Sequence, residues 1–400
     1  MHEKTRRWWR VVVITILAVS AITHGSVVLM TFFPAPESVT NRLGAVSGGD
    51  FLVFYTAAVM TLKGAANEVW NPAVFDAQLY GLFGYKITSL EFFYPPVALL
   101  LWAPFALFPF KYALWLWVAL PLIAFGWCIY RLTHHWLATI LTLIAPLTVY
   151  TAGAGQTGIL FAALTAAFVI NLERKPILSG SIASLFVVKP HLAPAILICL
   201  LVDRNWRAFG VLVTVALALI ATVTGLFGLE IWFSFMKGIS FHADEVFDFR
   251  NRTFDRSLSI QLFMLRLGAS SLVAWSTQAI VSLVTAGLLI KIWREAADPM
   301  HRLFALSLAI CLLSPKILHY DAVVLLIPIA MVIARLEGGT AEWSFVLLSM
   351  TIWFLPLLVP LFKTLGFNPV GPVLFVGMVL VFFKSRKAVK ATPAPEQGAT

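Results

Sequence analysis

The sequence predicts an all-α protein that crosses a membrane many times. Of its 400 residues, 60% are hydrophobic and only 12% are charged, whereas soluble chains average roughly 45–50% apolar and about 25% charged residues. The apolar residues also fall in long runs, and a helix that spans a bilayer needs about 17–25 of them in succession. Because soluble proteins do not carry such an excess of apolar side chains, we expect lipid to surround most of the chain.

The predicted spans cover most of the length. Segments 95–110 and 302–314 are short, so we expect ten to thirteen helices, with one or two re-entrant or broken at the membrane surface. An even count of twelve places both termini in the cytoplasm. The spans are 11–33, 95–110, 112–131, 136–152, 157–172, 177–201, 208–228, 270–290, 302–314, 320–335, 341–362 and 366–383.

We expect a single integral-membrane domain over residues 1–384. The segment 385–400 ends in ATPAPEQGAT, which is short, polar and proline-containing. That composition predicts a disordered cytoplasmic tail.

The net charge of +10 is spread over short basic clusters between the apolar runs, such as DRNWR and KSRKAVK. This is the positive-inside pattern of cytoplasmic loops. No basic helix or aromatic sheet motif accompanies the charge, so we expect no nucleic-acid partner. Two further clusters, at 131–136 and 173–176, fall outside under strict alternation and leave the side of residues 131–176 open.

The first run, 11–33, is too long for a signal-peptide core and predicts an uncleaved span with a cytoplasmic N-terminus. The loop 34–94 then lies outside. Within it, apolar residues from Phe51 to Leu62 recur at helical spacing, which predicts an amphipathic helix lying flat at the outer interface. A second helical piece is expected at 72–83.

Asp50 stands at the head of that first helix, behind Gly48 and Gly49. One interpretation is a helix N-cap, in which the carboxylate accepts hydrogen bonds from the first turn. The other is a functional carboxylate at the surface where a lipid-linked substrate presents its head group. The two glycines permit positive φ and close approach of another molecule, such as an acceptor.

Other polar residues stand out against the apolar background. Lys189 lies in mid-span and is either a functional group facing a partner or a snorkelling lysine at a proline kink. The remaining polar residues occur at turns or in predicted outer segments. We expect them to bind the substrate or its phosphate, with ordinary turn or solvated-loop roles as the alternatives: Tyr94, Gln156, Arg250, Arg252, Arg256, Lys316, His319 and Tyr320. The three cysteines lie in apolar runs without CxxC spacing, which indicates neither a disulfide nor a zinc site.

Five stretches together resemble glycosyltransferase family 87, polyprenyl-phosphate-mannose-dependent mannosyltransferases of the GT-C superfamily. They are GGDFLVFYTAA, FYPPVALLLWAPFALFP, GQTGILFAAL, KPHLAPAILICLL and SPKILHYDAVVLLIP, in this order between residues 48 and about 330. The resemblance implies a GT-C-type fold in the bacterial inner membrane. It also implies inverting transfer of a hexose, mannose in the family, to a glycolipid or glycan hydroxyl on the periplasmic side.

The resemblance assigns the general-base role to Asp50, which must reach the acceptor hydroxyl opposite the leaving group. The leaving phosphate needs cations or hydrogen-bond donors, and Lys189, Lys316, His319 or an arginine of 250–256 are the residues expected to supply them. We expect no cofactor beyond the lipid-linked donor, and no metal, since no second acidic residue stands beside Asp50 in the sequence.

The main alternative is a transporter or flippase of a lipid-linked or small polar substrate. A transporter concentrates ionisable residues near the midplane, as Lys189 is predicted to lie, whereas a transferase concentrates them at the outer interface. More of them fall at the interface, which favours the enzyme. A non-catalytic scaffold that tolerates loss of Asp50 is a third possibility.

Overall fold

The computed structural model describes residues 3–32, 47–84, 92–241 and 255–391. Within these ranges the regular elements are helices, and the β contact found there is an isolated bridge between Ser257 and Leu318. The all-α prediction is confirmed. The α-helices are α1 (Glu3–Phe32), α2 (Phe51–Leu62), α3 (Pro72–Phe83), α4 (Ala98–Trp102), α5 (Phe110–Thr133), α6 (Trp136–Ile144), α7 (Pro146–Gly153), α8 (Gly158–Asn171), α9 (Pro176–Ser184), α10 (Pro194–Val202), α11 (Trp206–Phe227), α12 (Glu230–Phe241), α13 (Ile260–Arg266), α14 (Ser271–Glu295), α15 (Pro299–Leu312), α16 (Leu326–Glu337), α17 (Trp343–Trp353), α18 (Val359–Leu365) and α19 (Val370–Ala391).

Short 3-10 helices punctuate this order. They occupy Ala66–Glu68, Ala103–Leu107, Leu185–Val188, Pro190–Leu192, His319–Leu325 and Leu355–Leu358. The last two run directly into α16 and α18.

In the described part of the chain, five helical segments are long and apolar enough to cross a bilayer, and two bent pairs raise that number to seven. The pair α6–α7 bends by 46° where Pro146 forces Ala145 into extended backbone. Other predicted spans form shorter apolar helices of 10–17 residues. The chain is therefore a polytopic helical membrane protein in which full-length, bent and short helices are mixed.

Polar contacts tie one end of the bundle together, which we call the basic end. The contacts join His135 to Glu337 (3.1 Å), Arg335 to Asp298 (2.5 and 2.6 Å), Trp293 to Asp203 (3.0 Å), Asn205 to the carbonyl of Leu172 (3.1 Å) and Lys384 to Glu342 (2.7 Å). Gly339 also lies against the guanidinium of Arg10. Both ends of the described chain, near Arg10 and near Lys384, therefore lie at the basic end.

The clusters at 131–136 and 173–176 also lie at the basic end, next to Glu337 and Asn205. Their placement differs from strict alternation because the predicted span 95–110 does not cross the bundle. Tyr94 bonds to Thr157 and the carbonyl of Phe108 accepts from Tyr55, both far from the basic end. Segment 92–109 is thus re-entrant, held by the short helix α4 and stacking of Trp102 on Phe54 with ring centroids 4.4 Å apart.

The predicted single span 177–201 is also wrong as one helix. Helix α9 and a 3-10 turn run from the basic end up to Lys189, and α10 runs back to Asp203. The break falls at Lys189-Pro190 because proline lacks an N–H and keeps the preceding residue out of the α region. The segment therefore turns back at Lys189 and begins and ends at the basic end. It and segment 95–110 both fail to make a single crossing, so the termini still share an end.

Helix α2 confirms the predicted helix but not its surface position. Its residues are buried on all sides apart from Val59 and Leu62, so it is a core helix rather than one lying flat at an interface. Aromatic rings surround it, among them Trp117 stacked on Phe51 at 5.9 Å. Offset ring pairs add about 0.5–1.5 kcal/mol each beyond their buried area, which explains why so aromatic a segment sits inside the bundle.

Helix α3 spans Pro72–Phe83, as predicted, and buries only the stripe Phe75, Leu79 and Phe83. At the other terminus, α19 continues to Ala391, so residues 385–391 are helical and not the start of a disordered tail. Lys, Arg and Ala in this stretch favour helix. Residues 392–400 lie outside the described ranges.

Candidate functional site

Two glycine-containing turns meet at the end of the bundle opposite the basic end. Gly48 and Gly49 adopt φ of +93° and +50°, and Gly155 adopts +64°. The amide of Asp50 donates to the carbonyl of Ala154 at 2.9 Å, and the indole of Trp117 donates to the carbonyl of Gly155 at 2.8 Å. The sequence therefore folds the turn before α2 directly against the turn before α8.

The glycines do not leave space for an acceptor, which corrects that part of the prediction. A Cβ on Gly49 would lie 2.6 Å from the carbonyl oxygen of Ala154, and one on Gly155 would lie 2.2 Å from that of Gly48. The predicted positive φ is present, but it serves the close contact of two backbones.

Asp50 does not cap its helix. Its side chain makes no hydrogen bond to the first turn of α2, so the N-cap interpretation is wrong. The carboxylate instead accepts a hydrogen bond from the side-chain amide of Gln156, whose own carbonyl accepts from the amide of Thr157 at 3.2 Å. Gln156, predicted to bind the substrate, thus holds the carboxylate.

Burial raises the pKa of Asp50 above its ordinary value. The hydrogen bond from Gln156 and the charges of Arg256 and Lys189 act in the opposite direction without cancelling the increase. A carboxylate with a raised pKa binds a proton more readily than an exposed aspartate. This is the property that a general base needs.

Lys189 belongs to a second cluster of polar side chains, which lies beside the turn that carries Asp50. Its ammonium forms an ion pair with Asp321 in which both side chains are less than 10% exposed, and it donates to Thr157 at 3.4 Å. It also lies over the rings of Tyr320 and Tyr94, at 5.0 and 5.9 Å. Of the two interpretations of Lys189, the structure supports the one with a buried partner.

Tyr94 and Tyr320 complete this second cluster. The hydroxyl of Tyr94 lies 3.1 Å from that of Thr157. Gly158 packs so closely on Tyr320 that a Cβ there would lie 1.9 Å from the Tyr320 carbonyl oxygen. The turn at 153–158 therefore touches Asp50 on one side and the Lys189–Asp321 pair on the other.

His319 lies next to this pair in the chain and is buried. Its backbone amide donates to the carbonyl of Arg256 at 2.8 Å, and its Nδ1 lies 3.3 Å from the same oxygen. A carbonyl only accepts, so Nδ1 carries the proton and Nε2 offers a lone pair. Nε2 is buried and has no hydrogen-bond partner in the described ranges. The ring packs on Tyr150 at 4.4 Å.

Arg256 lies close to the site. Its side chain is exposed, and its charge acts on Asp50 and on His319. Lys316 is half-buried, and burial lowers its pKa to about 8. Arg250 and Arg252 lie outside the described residues, so their predicted roles are untested. Among the predicted cations that the structure describes, Arg256 is the exposed one whose charge acts on Asp50.

Asp321 was missed by the sequence interpretation, which stopped at His319 and Tyr320. A signal existed: an ionisable residue at the head of the apolar run AVVLLIPIAMVIA requires a partner, and Lys189 has the same requirement. Thr157, Tyr150 and Trp117 gave no comparable signal. Their functions in the site depend on hydrogen bonds and ring contacts between segments far apart in sequence.

No group of three metal-ligating side chains occurs in the described part of the chain. Asp50 is held by an amide, and Asp321 is held by an ammonium and the backbone amide of Leu318 at 3.2 Å. Independence of metal stays a prediction.

The fold and the site define a class: a polytopic helical membrane protein with a half-buried carboxylate and a cationic side chain at one end of the bundle. The chain matches the glycosyltransferase family 87 profile over residues 92–315. This match covers more than half of the chain, so the protein belongs to glycosyltransferase family 87 and is a membrane glycosyltransferase. Searches of curated proteins and of solved structures give no significant match.

Proposed function

We propose that this protein transfers a hexose, mannose in the first instance, from a polyprenyl-phosphate donor to a glycolipid or glycan hydroxyl with inversion. The observation that carries the proposal is the carboxylate of Asp50, held by Gln156 in a half-buried position beside the charge of Arg256. A base and a cation at one site are the two groups that this chemistry requires. We also propose that the helices adopt the GT-C arrangement.

In the proposed step, Asp50 accepts the proton of the acceptor hydroxyl as its oxygen attacks the anomeric carbon. A carbon–oxygen bond forms to the acceptor and the bond to the phosphate oxygen breaks on the opposite face. The electron pair leaves with the lipid phosphate, which departs as an anion, so no general acid is needed. This is the acceptor half of the inverting-glycosidase mechanism.

We propose that Arg256 and His319 bind the donor head group, with Lys316 nearby. Arg256 offers planar donors suited to phosphate. The lone pair on His319 Nε2 accepts a hydrogen bond from a sugar hydroxyl. Lys189 is less suited to this task because Asp321 already neutralises its charge.

The distribution of charge supports an outward-facing site. Arginines and lysines concentrate at the basic end, which the positive-inside rule assigns to the cytoplasm. They are Arg10, Arg131, Arg174, Lys175, Arg204, Arg207, Lys291, Arg294, Arg302, Arg335, Lys384 and Arg386. We therefore propose that both termini are cytoplasmic and that Asp50 faces the outside, the periplasm in a bacterial inner membrane.

The transporter alternative relied on the predicted position of Lys189 near the midplane. Lys189 is paired with Asp321 and lies in the same polar cluster as Thr157 and Tyr94. That observation no longer favours transport.

The test is transfer of labelled hexose from a polyprenyl-phosphate donor into membrane lipid or glycan. Asp50→Asn is expected to abolish transfer, since an amide cannot accept the proton, while leaving the amount of folded protein unchanged. Asp76→Asn is the matched control, because Asp76 is exposed on α3 and should retain full activity. Wild-type rates in Asp50→Asn would overturn the general-base assignment.

A further inference from the structure

The Lys189–Asp321 ion pair lies between four chain segments that are far apart in sequence. Lys189 stands at the break between α9 and α10, and Asp321 lies in the 3-10 helix that precedes α16. Lys189 reaches Thr157 at the start of α8, and Thr157 reaches Tyr94 in the re-entrant segment. Removing either ion would leave an unpaired charge in a buried position.

The pair is also joined to Asp50 by a continuous series of contacts. Lys189 donates to the Thr157 hydroxyl, the amide of Thr157 donates to the side chain of Gln156, and Gln156 donates to Asp50. The same Lys189 charge acts on Asp50 through space. Any change in the pair therefore acts on the carboxylate through both position and charge.

We propose that Lys189 and Asp321 are positioning residues for Asp50, a charge-neutral pair that fixes the 156–157 turn, and that Lys189 does not bind the donor phosphate. This inference rests on the proposed general-base role of Asp50. It assigns Asp321 a part in the reaction and gives Lys189 a different role from the one expected from the sequence.

The pair must have opposite electrostatic effects on Asp50. Lys189 favours the ionised carboxylate, and Asp321 offsets it. The other groups facing Asp50 are Gln156 and Arg256, together with the phenols of Tyr94, Tyr150 and Tyr320. The phenols stay neutral below pH 9. They therefore do not change the acid limb, the part of the pH profile of kcat/KM in which the rate falls as Asp50 becomes protonated.

The experiment measures donor KM and the pH dependence of kcat/KM for Lys189→Met, Asp321→Asn and the double variant. Lys189→Met should move the acid limb to higher pH and Asp321→Asn to lower pH. Each shift should be about half a pH unit, below the roughly 1–3 units of a contacting charge, because Thr157 and Gln156 intervene. The double variant should return the limb to within a few tenths of the wild-type value.

The double variant also keeps the test valid if a single variant fails to fold, because it leaves no buried charge unpaired. Its donor KM should stay within about threefold of wild type. A tenfold or larger rise in donor KM in the double variant would show that Lys189 binds the phosphate and overturn the proposal. Limb shifts of the same sign in both single variants would also overturn it, whereas an active Asp50→Asn would instead refute the general-base role itself.

Discussion

At the scale of single residues, the site depends on what surrounds one carboxylate. Burial raises the pKa of Asp50, and Gln156 lowers it in part by donating a hydrogen bond to the ionised form. Gln156 is itself buried and oriented by the amide of Thr157. The glutamine therefore sets the direction of the carboxylate and opposes, in part, the effect of burial on its pKa.

Replacing Gln156 by Leu should move the acid limb of kcat/KM to higher pH, by up to about one unit, because the ionised carboxylate loses its donor. Activity then falls as the pH drops through the raised pKa and recovers partly above it. The measurement is transfer rate against pH, with Gln78→Leu on α3 as the control. An unchanged limb with a uniformly lower rate would mean that Gln156 only shapes the turn.

The residue scale also shows where sequence interpretation succeeds and where it ends. Asp50 and Lys189 were identifiable because charges are rare in this chain and costly in lipid. The partner of each was not identifiable, because Gln156 and Asp321 lie 106 and 132 residues away along the chain. The N-cap interpretation of Asp50 was wrong because it assumed a local partner where a distant one is present.

At the scale of elements, the close contact of α8 with the 319–321 segment decides the geometry of the candidate site. Gly158 opens α8, and its Cα faces the carbonyl of Tyr320 where a methyl group would lie 1.9 Å from the oxygen. The contact joins the backbone of α8 to the backbone of Tyr320, so no flexible side chain can move aside to make room for a methyl group. Thr157 and Asp321, the chain neighbours of Gly158 and Tyr320, both bond to Lys189.

Gly158→Ala should therefore destabilise the protein, by about 1–3 kcal/mol or more as in other overpacked sites, and reduce transfer severely. Gly81→Ala is the matched control, since nothing lies within 4 Å of a Cβ at that helical position. Its effect should be neutral or stabilising by up to about 1 kcal/mol, because alanine favours helix over glycine. Thermal unfolding in detergent distinguishes the two, and equal midpoints would contradict the packing argument.

Element types and many boundaries followed from the sequence. Helix α3 begins and ends as predicted because proline can open a helix and Gly84, at φ +71°, closes it. The surface position predicted for α2 was wrong because helical spacing of aromatics identifies one buried face but cannot show that the opposite face is covered too. That cover is supplied by the 92–109 segment, whose re-entrant path is a tertiary feature.

At the scale of the whole molecule, hydropathy alone gives the membrane class but not the path of the chain. Span 95–110 had the composition of a crossing and is re-entrant, whereas 177–201 had the length of one crossing and turns back to the end at which it began. For 177–201, the proline at Lys189-Pro190 was the available signal in the sequence. For 95–110 there was none, because composition does not show how deep a segment enters the membrane; its path became clear only from the contacts of Tyr94 and Phe108.

The re-entrant path of 92–109 predicts which loops lie on the same side of the membrane. Exposed Lys63 follows α2, near Asn67, which bonds to the carbonyl of Phe227 at the site end. Exposed Arg174 lies at the basic end, next to the Leu172–Asn205 contact. Strict alternation instead placed both residues outside. Cys128, Cys199 and Cys311 are buried, so they should give little background with a membrane-impermeant maleimide.

In sealed vesicles of known orientation, Lys63→Cys should be labelled only from the outside and Arg174→Cys only from the cytoplasmic side. Arg207→Cys, which is exposed at the basic end, is the control for cytoplasmic labelling. Labelling of positions 63 and 174 from the same side would contradict the re-entrant path of 92–109, since a further crossing would then be needed. Position 63 labelled only from the cytoplasm, with 174 outside, would keep the path but invert the proposed orientation and place Asp50 away from a periplasmic acceptor.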